Sequence, residues 1–263
     1  MNKRIHLFEL HDFDRFPRIW RSLFTEFLSY YESSRKIYAT VASLLEPIIR
    51  RNEGFTIIDL CSGAGSPVVT VTDAVDADIA GKIKVVLTDK YPNIKAFKCI
   101  SDNTNGRIKY IDKPVDAMNV PESLLGFRTF FSSFHHFNED SAFAILTDAV
   151  SKSQGIGIFE YTEKTLIKYI FLFGIPLDLW LLLKFSLVRP VRFRRILWTF
   201  LIPVLPVTVF WDGIVSCLRS YSIRELDDLI KPFSDCGYTF KTGRIKSSMP
   251  FYITYLIGYP EDL

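Results

Sequence analysis

The chain has 263 residues, 48% of them apolar, which suits one α/β domain of ordinary size or a smaller domain with an embellishment. A net charge of +3 is too small to mark a nucleic-acid binder. Four scattered cysteines (Cys61, Cys99, Cys217 and Cys236) show no metal-like spacing, so no metal site is expected and the thiols should be reduced, as in the cytosol.

Near the start, Lys3 and Arg4 are followed by Glu9, Asp12 and Asp14 with no apolar run, so the segment is not a secretory signal and a cytoplasmic location is expected. Residues 1–53 have helical spacing (Ile19, Leu23, Phe24, Phe27, Leu28, then Ile37, Val41, Leu44, Leu45, Ile48). Pro17 marks a helix start and Asn52 to Gly54 a stop, giving an N-terminal helical cap.

The chain then reads Thr56-Ile57-Ile58-Asp59-Leu60-Cys61-Ser62-Gly63-Ala64-Gly65-Ser66-Pro67, a buried strand ending in an acid and a small-residue loop. Gly63 and Gly65 allow a ligand to approach backbone that a Cβ would block, and the following helix start, expected over 68–80, offers unpaired N–H groups. A second apolar run, Lys84 to Thr88, ends in Asp89, the place where nucleotide-binding sheets put a ribose-binding acid. The competing role for Asp89 is a helix-capping carboxylate.

A helix over 94–103 and a strand at 108–111 lead to Val115-Asp116-Ala117-Met118-Asn119-Val120-Pro121. There the Asp116 carboxylate beside Ala117 and Met118 could hold an adenine amino group and its flat face. A fourth strand is expected at Phe130-Phe131-Ser132-Ser133-Phe134, with His135 and His136 at its carboxyl end, the edge where open parallel sheets bind ligands. A helix over 138–152 and a fifth strand at Gly155 to Glu160 follow. Ser222-Ile223-Arg224-Glu225 is a capping box opening a helix that runs to Pro232, and 240–246 and 252–259 make a closing strand pair.

Taken together, this order of motifs resembles the class I S-adenosylmethionine-dependent methyltransferases. Asp59, Gly63 and Gly65 match the family's glycine loop, with Cys61 in place of its first glycine. Asp89 matches the ribose acid, Asp116 with Ala117 the adenine side, and Ser132 to His136 the fourth-strand position. The likeness covers about residues 55–160, and 221–259 more loosely. It implies a Rossmann-like α/β fold with a seven-stranded, mostly parallel sheet, one antiparallel strand near the carboxyl end, and helices on both faces. It also implies S-adenosylmethionine as cofactor and in-line methyl transfer. A dinucleotide-binding dehydrogenase is disfavoured because Val68 stands where a third glycine is needed.

Candidates for a base or an acceptor-positioning group are His135, His136, Glu160 and Asp212. The competing reading is packing for the histidines and a solvated loop acid for Glu160, while Asp212, with Arg219 and Tyr221 on the segment leading back to the sheet, could face the pocket or form a structural Asp–Arg pair. A non-catalytic cofactor-binding scaffold is the alternative function. Base methylation is disfavoured, since no Asn-Pro-Pro-Tyr-like stretch follows the fourth strand and the arginine cluster is the only basic face.

An apolar insertion separates the fifth strand from the returning α/β texture. Residues 166–188 and 196–211 are apolar and flank Arg189, Arg192, Arg194 and Arg195. Prolines, Gly174 and interspersed charges make each run short for a membrane span, and a spanning hairpin would put its arginines on the far side. Three readings stay open: a hairpin docked on an anionic membrane surface, a dry lid, or a dimer interface. The insertion also suggests a small hydrophobic acceptor, lipid-like or natural-product-like. The expected layout is a cap over 1–53, a cofactor-binding α/β domain over 54–164 and 212–263, and an insertion over 165–211. No feature specifies an oligomeric state.

Overall fold

The computed structural model describes residues 4–13, 15–51, 54–164 and 175–261. The expectations for Asn52 and for residues 165–174 of the insertion lie outside the described residues. Two compact units are formed: a helical unit of Met1–Ser34 and Thr162–Ser220, and a sheet unit of Arg35–Tyr161 and Tyr221–Leu263. These boundaries differ from the expected ones. Residues 35–51 belong with the sheet, where the Tyr38 ring packs on Phe131 and its hydroxyl donates to Ser132, and residues 212–220 belong with the helices.

The sheet unit contains, among the described residues, strands β1 (Phe55–Asp59), β2 (Ile83–Leu87), β3 (Ile108–Tyr110), β4 (Phe127–Phe131), β5 (Ile156–Glu160), β6 (Tyr238–Lys246) and β7 (Tyr252–Pro260). Their order is β3-β2-β1-β4-β5-β7-β6, and β7 alone runs against its neighbours, pairing antiparallel with both β5 and β6. This is the mostly parallel seven-stranded sheet that the sequence resemblance implied. Strands β1, β4 and β5 are buried nearly throughout, which explains their continuous apolar texture.

Because β1 pairs with β2 on one side and β4 on the other, the chain reverses its winding direction at β1. Open parallel sheets form their ligand crevice at the carboxyl end of the strands at such a switch. The core on one face gathers Ile58, Phe130, Phe134, Ile145, Leu146 and Ile158, among others.

Two expected elements shift. The helix after the glycine loop spans only Ser66–Thr72, with a separate turn at Ala77–Ala80. Its run of Val68, Val69, Val71 and two threonines is poor in helix propensity, and the Thr70 and Thr72 hydroxyls bond back to Ser66 O and Val69 O. The fourth strand starts at Phe127 and stops at Phe131, three residues earlier than expected. Arg128, ahead of the expected strand, lies inside the observed one and is 1% exposed, with Nη1 donating to Asp148 Oδ2 at 2.7 Å. Ser132 then takes a left-handed backbone (φ +41°), which ends the strand before the turn at Phe134–His136.

The capping box is formed as expected: the Ser222 hydroxyl accepts from Glu225 N at 3.3 Å and the Glu225 carboxylate accepts from Ser222 N at 2.8 Å, opening the helix Ile223–Ile230.

In the helical unit, Arg18–Ser34 begins just after Pro17 and packs Leu23, Phe24 and Phe27 against Leu181, Leu182, Phe185 and Leu205. The helix Ile175–Leu187 is followed by a helical stretch over Phe193–Leu201 and then by Val204–Arg219, the last two bent by 70°. Trp211 to Arg219, which leads back from the insertion, forms the end of this last helix. No single helix among the described residues is long and apolar enough to cross a membrane, although the bent pair together has the length and apolar composition. Arg192, Arg194 and Arg195 all reach the Glu26 carboxylate, so three of the four insertion arginines have a protein partner.

Candidate functional site

The site is built where β1 ends. Past Asp59 the chain takes left-handed backbone at Cys61 (φ +55°), Gly63 (φ +58°) and Gly65 (φ +79°) before the helix Ser66–Thr72 begins. The loop is locked from below: Leu60 N donates to Thr129 O, Ser62 N to Thr88 O, and the Ser62 and Thr88 hydroxyls both donate to Asp59 O. Gly65 has a further constraint, since a Cβ there would lie 2.8 Å from Ile100 Cδ1 and 2.9 Å from Leu87 Cδ1.

Asp59 is 1% exposed and accepts from the Thr129 hydroxyl at 2.7 Å. Burial pushes its carboxyl up to about 7, against hydrogen bonds from Ser62 and Thr129 and with a contribution from the Asp89 charge. An acid this deep organises the loop from behind. Asp89 lies half-buried just past β2 and does two things at once: Oδ2 accepts from Gly63 N at 2.9 Å, and Oδ1 accepts from Tyr91 N at 2.8 Å. The carboxylate therefore ties the glycine loop to the end of the next strand.

Val115 N donates to Asp89 O at 3.0 Å, which draws the third candidate segment to the same edge. Asp116 is exposed in a turn, with Oδ1 accepting from Met118 N, while Ala117 is buried in the core. Burial, reinforced by the charges of Asp89, Asp59 and Asp116, drives the Cys61 thiol well above its ordinary range. Cys61 thus stands among all three acids as an inert thiol.

On the other side of β1, Ser132 follows β4. Its hydroxyl accepts from the Tyr38 hydroxyl at 2.6 Å and from Tyr161 N at 3.4 Å. His135 and Glu160 are both buried, with His135 Nδ1 2.7 Å from Glu160 Oε2, and Glu160 Oε1 accepts from Phe134 N at 2.7 Å. Burial alone would raise the Glu160 carboxyl. The His135 charge and hydrogen bond, the Phe134 amide and the His136 charge outweigh it, so the group sits below its ordinary value. His136 is half-buried, its ring 4.3 Å from that of His135.

The sheet unit thus gathers Asp59, Cys61, Gly63, Gly65, Asp89, Asp116, Ala117, Ser132, His135, His136 and Glu160 at the carboxyl ends of β1 to β5 and on the loops that follow them. Asp212 belongs to the helical unit. It is 1% exposed, with Oδ1 accepting from Leu10 N at 2.7 Å and Oδ2 2.7 Å from His11 Nδ1, so its carboxylate fastens the N-terminal segment to the helix Val204–Arg219. Arg219 does the same through Asp12, Glu9 and Leu7 O. Tyr221 lies in the sheet unit's core and donates to Phe137 O.

Tyr38 and Thr129 were not legible as site residues. Neither carries a local motif, and Tyr38 reaches Ser132 across 94 positions of sequence. The arrangement suits a nucleoside: a carboxylate at the end of β2 to accept from a ribose diol, a second acid after β3 on one side of it, and left-handed loop backbone after β1 on the other.

No model of a known protein family matches the chain, and no curated protein matches it in sequence. Solved structures do. The plantazolicin methyltransferase BpumL in complex with SAH is 11% identical, with a TM-score of 0.54 over 92% of this chain and 95% of that one. The plantazolicin methyltransferase BamL, in complex with a triazolic desmethylPZN analog and SAH, is 11% identical, with a TM-score of 0.52 over 92% and 97%. The pyocyanin biosynthetic protein PhzM is 14% identical, with a TM-score of 0.50 over 85% of this chain and 55% of that one, so the chain spans little more than half of PhzM's length. At such identities the likeness is one of fold.

Proposed function

We propose that this chain, whose fold is that of the class I S-adenosylmethionine-dependent methyltransferases, binds S-adenosylmethionine and transfers its methyl group to a small hydrophobic acceptor. The observation that carries the cofactor is the Asp89 carboxylate, held at the β2 end by Gly63 N and facing a loop with three left-handed residues. BpumL and BamL, of similar fold, are described with SAH, the demethylated product.

Asp89 would receive the ribose hydroxyls, Asp116 the adenine amino group, and the backbone at Cys61 to Gly65 the amino-acid end. Bound there, the cofactor supplies a sulfonium-activated methyl. The chain's own contribution is alignment of the acceptor and exclusion of water, with a base required only where the acceptor must lose a proton. We assign that proton to His136, the more exposed of the two histidines. His135, packed beside it and oriented by Glu160, is a positioning residue.

The acceptor class draws support from the aromatic and aliphatic texture of the insertion and from the names of the neighbours, two plantazolicin methyltransferases and a pyocyanin biosynthetic protein. We place the chain in the cytoplasm, a reducing compartment that suits its four free cysteines.

Calorimetric titration with S-adenosylmethionine and its demethylated product tests the cofactor. Wild type should bind both, and Asp89→Ala should bind at least tenfold more weakly. Absence of binding by wild type, or unchanged binding by Asp89→Ala, overturns the assignment. Once an acceptor is in hand, His136→Ala should lower kcat while leaving cofactor affinity unchanged.

A further inference from the structure

The helix Ile175–Leu187 is apolar on two opposite faces. At about 100° per residue, Leu181, Leu182 and Phe185 occupy one arc, where they are buried against the helix Arg18–Ser34. Leu179, Trp180, Leu183 and Leu187 occupy the opposite arc, and each is between 46% and 58% exposed. A helix that is apolar all round calls for a second apolar partner, and single exposed leucines need none, but a stripe of four on successive turns does. The exposed texture continues beyond the helix at Phe193, 71% exposed, and Leu201, 67% exposed.

Positive charge predominates around this surface, although Asp178 precedes the stripe in the same helix. From Leu179 to Trp211 there is no acidic residue, against Lys184, Arg189, Arg192, Arg194 and Arg195. Arg192, Arg194 and Arg195 share the one carboxylate of Glu26, which leaves that cluster with an excess of two positive charges. Lys184 and Arg189 are exposed, and Lys184 borders the apolar stripe, its ammonium 3.8 Å from the centre of the Trp180 ring. An apolar face with a tryptophan and cations at its margin matches the layering of a bilayer interface: acyl chains under the leucines, ring and ammonium at the headgroups.

We infer that this face of the helical unit docks on the surface of an anionic lipid bilayer, lying in the interface without spanning it. The inference does not rest on the methyl-transfer reading.

Flotation of the full chain with phosphatidylcholine vesicles, with and without about one-third phosphatidylglycerol, tests it. The folded wild type should float with the anionic vesicles at least tenfold more strongly than with the neutral ones, and added salt should weaken the binding. The pair L183E and L187E, on the arc away from the core, should abolish flotation while keeping the circular-dichroism melt and the S-adenosylmethionine titration of wild type. K184E with R189E should weaken binding to anionic vesicles alone. As a measurement that needs no charged variant, brominated lipid should quench wild-type tryptophan fluorescence more than that of Trp180→Phe. Failure of folded wild type to float, or flotation unchanged by L183E/L187E, overturns the inference. So does a dimer that L183E/L187E dissociates in a protein that binds no vesicles, which would give the face to a second copy of the chain.

Discussion

His135 Nδ1 and Glu160 Oε2 lie 2.7 Å apart with both side chains buried, and the other Glu160 oxygen takes the Phe134 amide. One carboxylate therefore fixes a ring and the turn that carries it, across the ends of β4 and β5. Removing the charge by Glu160→Gln should destabilise the protein by about 3 kcal/mol, as for a broken buried pair. The Glu160 carboxyl is held below its ordinary value, so its contribution is present above about pH 4.5 and lost as pH falls through the folded value. Urea midpoints between pH 3 and 6 should show that acid loss in wild type and not in Glu160→Gln.

Asp59 behaves oppositely. Its folded carboxyl is raised from 3.8 to about 7 by burial, so the fold binds a proton that the unfolded chain releases. Its contribution to stability falls as pH rises from about 4 to about 7, by about 4 kcal/mol at most. Asp59→Asn should flatten that part of the stability profile. A wild-type midpoint that rises over the same interval because of Asp59 would contradict the assignment.

Cys61 carries a side chain at φ +55°, where an L-residue pays about 1–2 kcal/mol. Cys61→Gly should be neutral within about 1 kcal/mol, the relief being offset by glycine's greater unfolded entropy, whereas Cys61→Val should cost at least about 2 kcal/mol. Gly65→Ala should cost as much or more, since it adds a collision with Ile100 and Leu87 to the same backbone strain. Chemical unfolding of the three variants under one set of conditions orders them.

Asp212 and His11 lock the N-terminal segment to the helix Val204–Arg219. Burial lowers the His11 imidazole, but the Asp212 hydrogen bond and the charges of Glu9, Asp212 and Asp12 outweigh it and leave it above 6.5. The stabilisation is complete below pH 6.5 and lost as pH rises through the folded value. Asp212→Asn should cost about 2 kcal/mol near pH 6, less than a fully buried pair because His11 is partly exposed, and should erase that loss. Amide exchange at Leu10 should quicken in the variant while amides of β1 and β4 keep their protection.

What was legible in the sequence was what neighbouring residues determine. An apolar run followed by an acid and small residues makes β1, its loop and Asp59, because strand burial and left-handed backbone are local requirements. The same holds for Asp89 after β2 and for the Ser222–Glu225 capping box. The order of acids on successive strand ends then pointed to the fold without any long-range contact being known.

Only the tertiary structure decided which polar groups are spent on holding the molecule together. Arg128 is tolerated inside buried β4 because Asp148, 20 positions away, pairs with it. Asp212 holds the N-terminal segment because His11, 201 positions away, meets its carboxylate. Tyr38 entered the site through Ser132. A buried charge or hydroxyl is tolerable only with a partner, and the partner is chosen by packing in space, which no local pattern of residues encodes.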